Sequence, residues 1–462
     1  MRVLFVVYDN ESHVAYFPMG IAYLTSVLEE HGHQVEIYCQ DIYHTPDSHL
    51  TDHLDSNRYD MVGLSFIGGY FPYRKALKIS EAINRSKQRP FYCLGGHGPS
   101  PEPEYFLRVT GADAICIGEG ERTIVDLVDA ISGNKSLGDV GGIAWRDGNE
   151  VFVNPRRPLI QDLDSIPFPA YHRFPMHVYR LIRFPHCAPT DFVGIMISGR
   201  GCDHRCTFCY RLDAGFRPRS NEGIIEEMKM LKRDFGITYI YFSDEILLSS
   251  AERAISFSEA LLRNNIQMKW MCCGRLNHAT PEVMQIMKRA GCVFVHFGIE
   301  CFDDEILRNM RKGLTTDIIV KGVEASLAAG VTPGINVMFG IPGENRDTLR
   351  KTTEFVLKYD KGAQVRNIKP VTPFPGTELY AEAIRRGLLK DCADFYEKKH
   401  VNSDLLTVNF TDLSDEEYYS ALYEANLRIL KGNLEKNTEY LVSQLEQLYV
   451  GKDATFRGFR QT

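Results

Sequence analysis

Three cysteines lie close together in the segment SGRGCDHRCTFCYR, residues 198–211. They are Cys202, Cys206 and Cys209, with three residues between the first two and two between the last two. Thiolates are soft ligands that favour zinc or iron–sulfur clusters. A structural zinc site needs four protein ligands, and although His204 lies inside the loop, no second Cys or His pair at zinc-finger spacing follows. Three thiolates suit a four-iron, four-sulfur (4Fe–4S) cluster with one iron open to a ligand. Reduced structural cysteines or a zinc site are the alternatives.

The cysteine loop follows the first of six apolar segments that alternate with helical patterns between about Phe192 and Leu388. The six predicted strands are VGIMISG, YIYFSDE, QMKWMCCG, VFVHFGIE, GINVMFGIP and VRNIKPVTP. A closed (β/α)8 barrel needs eight such repeats. The pattern therefore predicts an open, partial (β/α)6 barrel over residues 191–390.

Charged residues and glycines end several of these strands, which is where parallel sheets bind their ligands. They are Asp244 and Glu245 in YIYFSDE, Arg275 in CCGRLN, Glu300 in VFVHFGIE, and Gly340 and Gly343 in GINVMFGIPGE. For the acidic residues the alternative is a solvated strand end, and for Arg275 it is a position on the surface.

Residues 1–137 form a second series in which short apolar strands alternate with amphipathic segments. RVLFVVY precedes GIAYLTSVLEEHGH, YDMVGLSFIG precedes YRKALKISEAINR, and DAICIGEG precedes ERTIVDLVDAI. This α/β pattern predicts a doubly wound, Rossmann-like parallel sheet. At the strand ends, where backbone can approach a large ligand, lie Ser65, Gly95, Gly96 and Gly118.

Two further regions complete the predicted domain organisation. Residues 138–190 are expected to form a small β-hairpin and then a connector rich in Pro and aromatic residues. Residues 391–462 are expected to form a C-terminal helical cap, because apolar residues recur at helical spacing from about Leu413.

Composition favours a protein that acts on a small molecule. The chain of 462 residues is 44% hydrophobic, enough for more than one domain. With 53 basic and 60 acidic residues it has a net charge of −7, which suggests neither a nucleic-acid partner nor an anionic membrane. The apolar N-terminal run is too short to span a bilayer and has no secretory cleavage site. Twelve cysteines in so long a chain are not disulfide-dense, which favours a reducing, cytoplasmic setting.

The Cys-x3-Cys-x2-Cys pattern resembles that of the radical S-adenosylmethionine (radical SAM) superfamily. The resemblance includes Phe208 immediately before the last cysteine and the place of the loop after the first strand of a partial barrel. In that family the open iron chelates the amino and carboxylate groups of SAM. Reduction of the cluster then cleaves SAM to a 5′-deoxyadenosyl radical, which abstracts a hydrogen from the substrate. The resemblance implies a 4Fe–4S cluster, SAM and an external electron donor such as flavodoxin or ferredoxin.

The same resemblance implies roles for the residues at the strand ends. Asp244 and Glu245 resemble the acidic residues that receive the ammonium of SAM. Arg275 matches an arginine near the SAM carboxylate, Glu300 a contact to the ribose hydroxyls, and the segment with Gly340 and Gly343 the strand on which adenine rests. The segment PFPGTELY, Pro373 to Tyr380, also recurs in larger members and favours a turn.

The N-terminal series resembles the cobalamin-binding subgroup of this superfamily in FPMGIAYLTSVLEEHGHQVEIY, YDMVGLSF, LGGHGPSPEPE and DAICIGEGE. The resemblance implies cobalamin as a cofactor, with His97 at the corrin or its tail, or else capping the loop. The Asp-x-His-x-x-Gly loop that supplies a histidine to cobalt would follow the first strand, yet that place reads YDNESHVAYFPMG. His13 is present without the pattern. Some relatives keep this domain and bind no cobalamin.

Three residues are candidates for catalysis beyond the cluster. Tyr210 follows the last cysteine and could shield the cluster or touch a cofactor, or simply pack. Cys272 and Cys273 end a strand, and one of them could donate hydrogen to a substrate radical, although most such cysteines are core residues.

The leading hypothesis is a cobalamin-dependent radical SAM methyltransferase acting on an unactivated carbon of a small molecule, such as a secondary metabolite. The alternative enzyme uses the radical for dehydration, as in a diol dehydratase, or for rearrangement or cyclisation, with the N-terminal domain as a platform. A third possibility is a non-catalytic corrinoid or metal sensor.

Overall fold

The computed structural model describes residues 1–12, 15–211, 215–362 and 366–452, so His13 lies outside the described residues. Its strands are β1 (Arg2–Val7), β2 (Gln34–Cys39), β3 (Met61–Ser65), β4 (Phe91–Gly95), β5 (Ala114–Cys116), β6 (Ile143–Asp147), β7 (Glu150–Val153), β8 (Val193–Met196), β9 (Gly199–Cys202), β10 (Gly215–Pro218), β11 (Tyr239–Phe242), β12 (Lys269–Gly274), β13 (Cys292–Glu300), β14 (Thr332–Phe339) and β15 (Lys369–Pro370).

Helices follow most of the strands. They are α1 (Met19–Glu30), α2 (Gln40–Tyr43), α3 (Asp47–Ser56), α4 (Tyr70–Arg85), α5 (Pro103–Thr110), α6 (Glu121–Ile131), α7 (Met176–Tyr179), α8 (Asn221–Phe235), α9 (Ala251–Arg263), α10 (Pro281–Arg289), α11 (Asp304–Asn309), α12 (Thr316–Ala328), α13 (Arg346–Tyr359), α14 (Glu378–Arg385) and α15 (Asp415–Leu445). No helix in the described ranges is long and apolar enough to cross a membrane.

By packing, the chain divides into two compact units that alternate along the sequence. Unit 1 comprises Met1–Ile182, Phe208–Ser220 and Thr372–Val408. Unit 2 comprises Arg183–Thr207, Asn221–Val371 and Asn409–Thr462. The boundary between Thr207 and Phe208 falls inside the cysteine loop.

Unit 1 contains the Rossmann-like sheet, with strand order β2-β1-β3-β4-β5-β6-β7. Strands β1 to β5 are parallel, and the predicted hairpin β6–β7 extends the sheet as antiparallel strands. The buried residues of β1 form a continuous apolar run, as expected for a parallel strand covered on both faces. The direction of winding reverses between β1 and β3, so a ligand crevice is expected at their carboxyl ends.

Unit 2 contains a six-stranded parallel sheet with the order β15-β14-β13-β12-β11-β8. Each strand lies beside its neighbour in sequence, so the sheet winds in one direction, as in a (β/α) barrel, and stops short of closure. The predicted fold, a Rossmann-like domain followed by a partial barrel and a helical region, is confirmed.

Side chains alternate between the two faces of this half-barrel. On β13, Val295, Phe297 and Ile299 are fully buried beneath helices. On β12, Trp270 also faces the helices, and its ring lies 5.6 Å from that of Phe257 in α9. The other face is concave and carries His296, Gly298 and Glu300 of β13.

The long helix α15 is held against the end of β14 by one aromatic residue. Ser414 and Glu417 form a reciprocal capping box that starts the helix. One turn later Tyr418 is fully buried, its ring lies 4.7 Å from that of Phe339, and its hydroxyl donates to the Phe339 carbonyl at 2.7 Å. Gly340 leaves the space that the Tyr418 hydroxyl occupies, because a Cβ there would lie 2.8 Å from it.

Replacing Tyr418 should therefore weaken the attachment of α15. We expect Tyr418→Ala to lower the free energy of unfolding by about 3–5 kcal/mol, because a large buried ring is lost. Tyr418→Phe should cost about 1 kcal/mol, since only one hydrogen bond is removed. Urea denaturation followed by circular dichroism measures both. Tyr423→Ala, at an exposed position of the same helix, is the control, and an equal effect of both alanine variants would contradict this account.

Candidate active site

The cysteine loop has the ligand chemistry of an iron–sulfur site. Cys206 is buried, Cys202 is half-buried at the end of β9, Cys209 is exposed, and all three are free thiols. Cys202 and Cys206 belong to unit 2, whereas Phe208 and Cys209 belong to unit 1. Among the described residues no three Cys, His, Asp or Glu side chains already lie together as a group that could hold a metal ion. The donor set fits a cluster by its chemistry, since three soft thiolates are available.

The two acidic residues after β11 have different environments. Asp244 is buried, and its two carboxylate oxygens accept from the backbone N–H of Ser198 at 3.0 Å and from the Ser198 hydroxyl at 2.7 Å. Glu245 is exposed, and its Oε2 accepts from the Gly201 N–H at 3.3 Å. Both carboxylates thus contact the segment that leads into the cysteine loop. Glu245 has room for an external ammonium, whereas Asp244 is engaged in holding Ser198.

Glu300 forms a buried ion pair that the sequence did not suggest. Its Oε1 lies 2.7 Å from Nζ of Lys312, and the two side chains are 12% and 8% exposed. The backbone of Glu300 has φ +69°, and the pairing between β13 and β14 shifts register at this point. Gly298 gives the pair its space, because a Cβ there would overlap Glu300 Oε1 and lie 2.7 Å from Lys312 Nζ. A left-handed non-glycine residue at a bulge is typical of functional sites.

The turn Met310–Gly313 joins three parts of the candidate site. The Met310 carbonyl accepts from the Thr207 N–H of the cysteine loop at 3.1 Å. The Lys312 carbonyl accepts from Nη2 of Arg275, and the Lys312 ammonium pairs with Glu300. Lys312 gave no sequence signal, because it follows a short helix in RNMRKGLTT and reaches Glu300 only in the folded chain.

Arg275 is buried, and one of its nitrogens can still donate a hydrogen bond. Its side chain is 8% exposed, and its Nε makes no hydrogen bond within the described structure. Nearby, the pKa of His204 is lowered to about 4, first by burial and then by Arg275, His278 and Lys312. His204 is therefore neutral at pH 7, and the cysteine loop lies beside a concentration of positive charge. An anionic group such as a carboxylate fits this environment.

The glycines after β14 are explained by contacts within unit 2. The N–H groups of Gly340 and Ile341 donate to Glu344 Oε2 at 2.7 and 2.9 Å. Burial raises the pKa of Glu344 to about 7. Gly343 has φ +95° and packs near Asn309. These contacts shape the strand end. The space beside Gly340 is occupied by the side chain of Tyr418 and is not open to a ligand.

The two adjacent cysteines of β12 face opposite sides of the sheet. Cys272 is fully buried on the helix-covered face. Cys273 lies on the concave face, paired in register with His296. Burial raises the pKa of Cys273 to about 12, with further contributions from Asp244 and Glu245. Cys273 thus remains a neutral thiol near the site, whereas Cys272 has no access to the concave face.

In unit 1 the predicted cobalamin contacts lie at the carboxyl edge of the sheet. Gly96 has φ +92°, and a Cβ there would lie 2.6 Å from the Phe66 carbonyl and 2.8 Å from Ser65 Oγ. Gly118 has φ +95° just after β5, and a Cβ on Gly95 would only touch Cys116. The backbones after β3 and β4 therefore approach so closely that Gly96 tolerates no side chain.

Tyr210 packs within unit 1 against the end of β4. Its ring lies 5.6 Å from that of His97 in an edge-to-face arrangement. Gly376 of PFPGTELY has φ +88°, and a Cβ there would overlap the Tyr210 ring and lie 2.8 Å from Pro101. The Pro-Gly turn thus places Tyr210 beside His97, a role that the sequence of this segment did not indicate.

The same edge exposes apolar surface that a large flat ligand could cover. Tyr16, Ile67 and Phe71 are 59%, 63% and 64% exposed, and they follow β1 and β3, where the sheet reverses its winding. Burying such residues against a ligand is favourable. These exposed apolar side chains fit the flat face of a corrin ring.

Comparison with known proteins identifies the families of the two domains that carry the candidate sites. The model of the Radical SAM superfamily matches residues 196–356, and that of the B12 binding domain matches residues 6–128. An uncharacterized methyltransferase of Pyrococcus horikoshii is 31% identical over 404 residues, covering 84% of each chain. The chain belongs to the radical SAM superfamily. It combines the domain of that superfamily with a B12 binding domain.

Two further relatives illustrate the range of the family. The anaerobic magnesium-protoporphyrin IX monomethyl ester cyclase of Rubrivivax gelatinosus is 24% identical over 399 residues, which cover 83% of this chain and 70% of the cyclase. The radical SAM methyltransferase TsrM of Kitasatospora setae, solved with cobalamin and a 4Fe–4S cluster bound, superposes with a TM-score of 0.70. Its identity is 19%, and the match covers 85% of this chain and 79% of TsrM, so it shows a shared fold.

The predictions of family, enzyme class and cofactors are thus confirmed. The radical SAM domain takes a 4Fe–4S cluster and SAM, and the B12 binding domain takes cobalamin. The protein is an enzyme of the cobalamin-dependent, methyltransferase-like branch of the superfamily.

Removing the Lys312 ammonium should weaken SAM binding. Lys312→Met leaves Glu300 as a buried carboxylate without its partner, so we expect the Kd of SAM to rise about tenfold or more, with Lys312→Arg intermediate. Equilibrium dialysis with the reconstituted enzyme measures this. Lys321→Met, at an exposed position of α12, is the control. SAM binding by Lys312→Met as tight as by the wild type would show that Glu300 holds its position unaided.

Asp244 should impose a pH dependence on stability. Burial raises its pKa from 3.8 to about 6. A carboxyl whose pKa is raised by folding stabilises the protein below the unfolded value, and that contribution is lost as the pH rises through the folded value. The melting temperature of the wild type minus that of Asp244→Asn should therefore fall between pH 3.8 and about 6 and then level off. Asp317→Asn on the surface should show no such trend, and a constant difference for Asp244→Asn would refute the raised pKa.

Proposed function

We propose that the protein transfers a methyl group from SAM, by way of cobalamin, to an unactivated carbon of a small molecule. The observation that carries the proposal is the presence, on one chain, of the three-cysteine loop beside a half-barrel and of a B12 binding domain. When bound, the cluster supplies the electron that cleaves SAM, and cobalamin carries the methyl group.

In this proposal Cys202, Cys206 and Cys209 hold the cluster, and Phe208 packs beside it. Among the strand-end residues of unit 2, Glu245 receives the ammonium of SAM, because its carboxylate is exposed, whereas Asp244 orients Ser198.

Arg275 and the Glu300–Lys312 pair bind the carboxylate and the ribose of SAM in this proposal. Arg275 offers its Nε to the SAM carboxylate, since that atom is buried and makes no hydrogen bond in the described structure. Glu300 accepts from the ribose hydroxyls with its geometry fixed by Lys312. Gly340 and Gly343 shape the strand end beside the adenine.

Two residues are proposed to control reactivity. Cys273 presents a neutral thiol on the concave face and can give a hydrogen atom to a carbon radical. Tyr210, which packs against Gly376 and His97, covers the position next to the last cluster ligand and limits access of water to it.

The cobalamin contacts are proposed to lie in unit 1, where Ser65, Gly95, Gly96, His97 and Gly118 would border the cofactor. The electron donor is proposed to be a flavodoxin or ferredoxin, and the setting cytoplasmic.

Ring closure without methyl transfer is the second candidate, favoured by the similarity to the Rubrivivax gelatinosus cyclase. The two candidates differ in their by-products. Methyl transfer yields S-adenosylhomocysteine as well as 5′-deoxyadenosine, whereas ring closure yields 5′-deoxyadenosine alone.

The test uses full-length enzyme reconstituted anaerobically with iron, sulfide and hydroxocobalamin, then reduced and supplied with SAM. We expect mass spectrometry to detect both S-adenosylhomocysteine and 5′-deoxyadenosine. Cys206→Ala should abolish 5′-deoxyadenosine, because three thiolates are needed for the cluster. It should stop forming S-adenosylhomocysteine once each cobalamin has been methylated, because without the radical the methyl group has no acceptor.

Cys187→Ala is the matched control, since this free cysteine lies outside the loop. It should form both products at the wild-type rate. Absence of S-adenosylhomocysteine with normal 5′-deoxyadenosine would favour the second candidate, and absence of 5′-deoxyadenosine from the wild type would refute both.

A further inference from the structure

The concave face of the half-barrel carries a polar group that the proposed roles leave unused. His296 lies in the middle of β13, half-buried, and its Nδ1 has no hydrogen-bond partner in the described structure. Burial is the main cause that lowers its pKa to about 4, with a further contribution from Arg366. Its ring packs edge-to-face on Phe294 at 4.9 Å and lies 6.4 Å from that of Tyr241. A neutral imidazole with an open nitrogen can bind a ligand on this face.

A cation lies beside this imidazole. Arg366 donates through Nη1 to the Ile335 carbonyl at 3.0 Å and to Asn336 Oδ1 at 2.7 Å. These two bonds orient the guanidinium on the side of β14 that faces His296. The centre of the guanidinium lies 5.9 Å from the ring centroid of Phe294. Burial lowers the pKa of Arg366, and the charge of Asp360 acts in the opposite direction.

A glycine makes room for the guanidinium. Gly334 pairs in register with His296, and a Cβ there would lie 2.6 Å from the Phe294 ring and 2.9 Å from Arg366 Nη2. Any other residue at 334 would displace Arg366 from the neighbourhood of His296. The Phe294 ring and the Gly334 backbone thus form a floor beneath the two polar groups.

We propose that His296, Arg366 and Asn336 bind an anionic oxygen group, a carboxylate or a phosphate, of the small-molecule substrate. The inference rests on the proposed function, whose SAM contacts lie at the end of the same strand. Glu300 lies four positions beyond His296 on β13, so the anion would be held about 13 Å below the ribose contact. A substrate anchored there would lie beside Cys273, which pairs in register with His296, and would extend upward along the concave face toward the strand ends.

The chemistry of this layer favours an anion over a cation. Arg366 supplies a positive charge, and His296 can present N–H from Nδ1. At the same height Cys273 and Gly334 bring no negative charge, because burial keeps the thiol protonated.

Thermal denaturation of the full-length reconstituted enzyme, with acetate or inorganic phosphate as probes, tests the site. The variants are Arg366→Gln and Lys321→Gln, which change the net charge equally. Lys321 is exposed on α12, so its variant controls for general salt effects. We expect the saturating probe to raise the melting temperature of the wild type and Lys321→Gln by about 3 °C more than that of Arg366→Gln. Chloride at matched ionic strength should show no such difference.

The anion that gives the larger shift in melting temperature identifies the substrate group. A larger shift with acetate indicates a carboxylate, and a larger shift with phosphate indicates a phosphate ester. His296→Phe, which keeps an aromatic ring, should lose most of the same shift. If Arg366→Gln does not fold, His296→Phe by itself tests the site. Equal shifts in the wild type and in each folded variant would overturn the anion site.

The outcome is separable from that of the proposed function. The thermal comparison needs no SAM, and SAM cleavage is measured separately on the wild type as formation of 5′-deoxyadenosine without added anion. A wild type that binds the anion but cleaves no SAM would refute the proposed function alone. A wild type that cleaves SAM with no Arg366-dependent shift would refute this inference alone.

Discussion

The buried ion pair between Lys312 and Glu300 is the interaction on which the geometry of unit 2 depends. Two charges taken out of water are costly unless they are paired closely and bonded further. Here the pair is 2.7 Å apart, and its position is fixed by a β-bulge at Glu300 and by the missing side chain of Gly298. The backbone of the Lys312 turn also bonds Arg275 and the cysteine loop. A single turn thus sets the relative positions of cluster loop, arginine and carboxylate.

Unit 1 relies on close backbone approach in place of charge. Gly96 and Gly376 both have positive φ, and at both positions a neighbouring residue occupies the space that a Cβ would need. At Gly96 that neighbour is the Ser65–Phe66 segment, and at Gly376 it is the ring of Tyr210. These contacts explain why short Gly-rich segments recur at the ends of strands that border a large ligand. They also give PFPGTELY a physical role beyond that of a turn.

Much of the architecture was predictable because it depends on periodicity. Apolar strands separated by helical patterns predicted two parallel sheets, and the count of six predicted an open barrel. The cysteine spacing predicted the cluster because ligand type and separation are local properties. Residues such as Asp244 and Cys272 were harder to interpret, since the sequence places them at a strand end but does not tell which face or partner each one has. Asp244 is engaged with Ser198, and Cys272 faces the helices.

By itself, the sequence determined the fold class and the cofactors, and it predicted the cluster ligands and the strand ends proposed to face the cofactors, because each prediction depends on residue type within a short window. Only the tertiary structure decided which partners meet. Lys312, His296 and Arg366 carry no recognisable motif, and they reach Glu300, Cys273 and Asn336 through strand register and a turn far apart in sequence. The physical reason is that charge pairing and an open hydrogen-bonding nitrogen are properties of neighbours in space, which a pattern along the chain cannot specify.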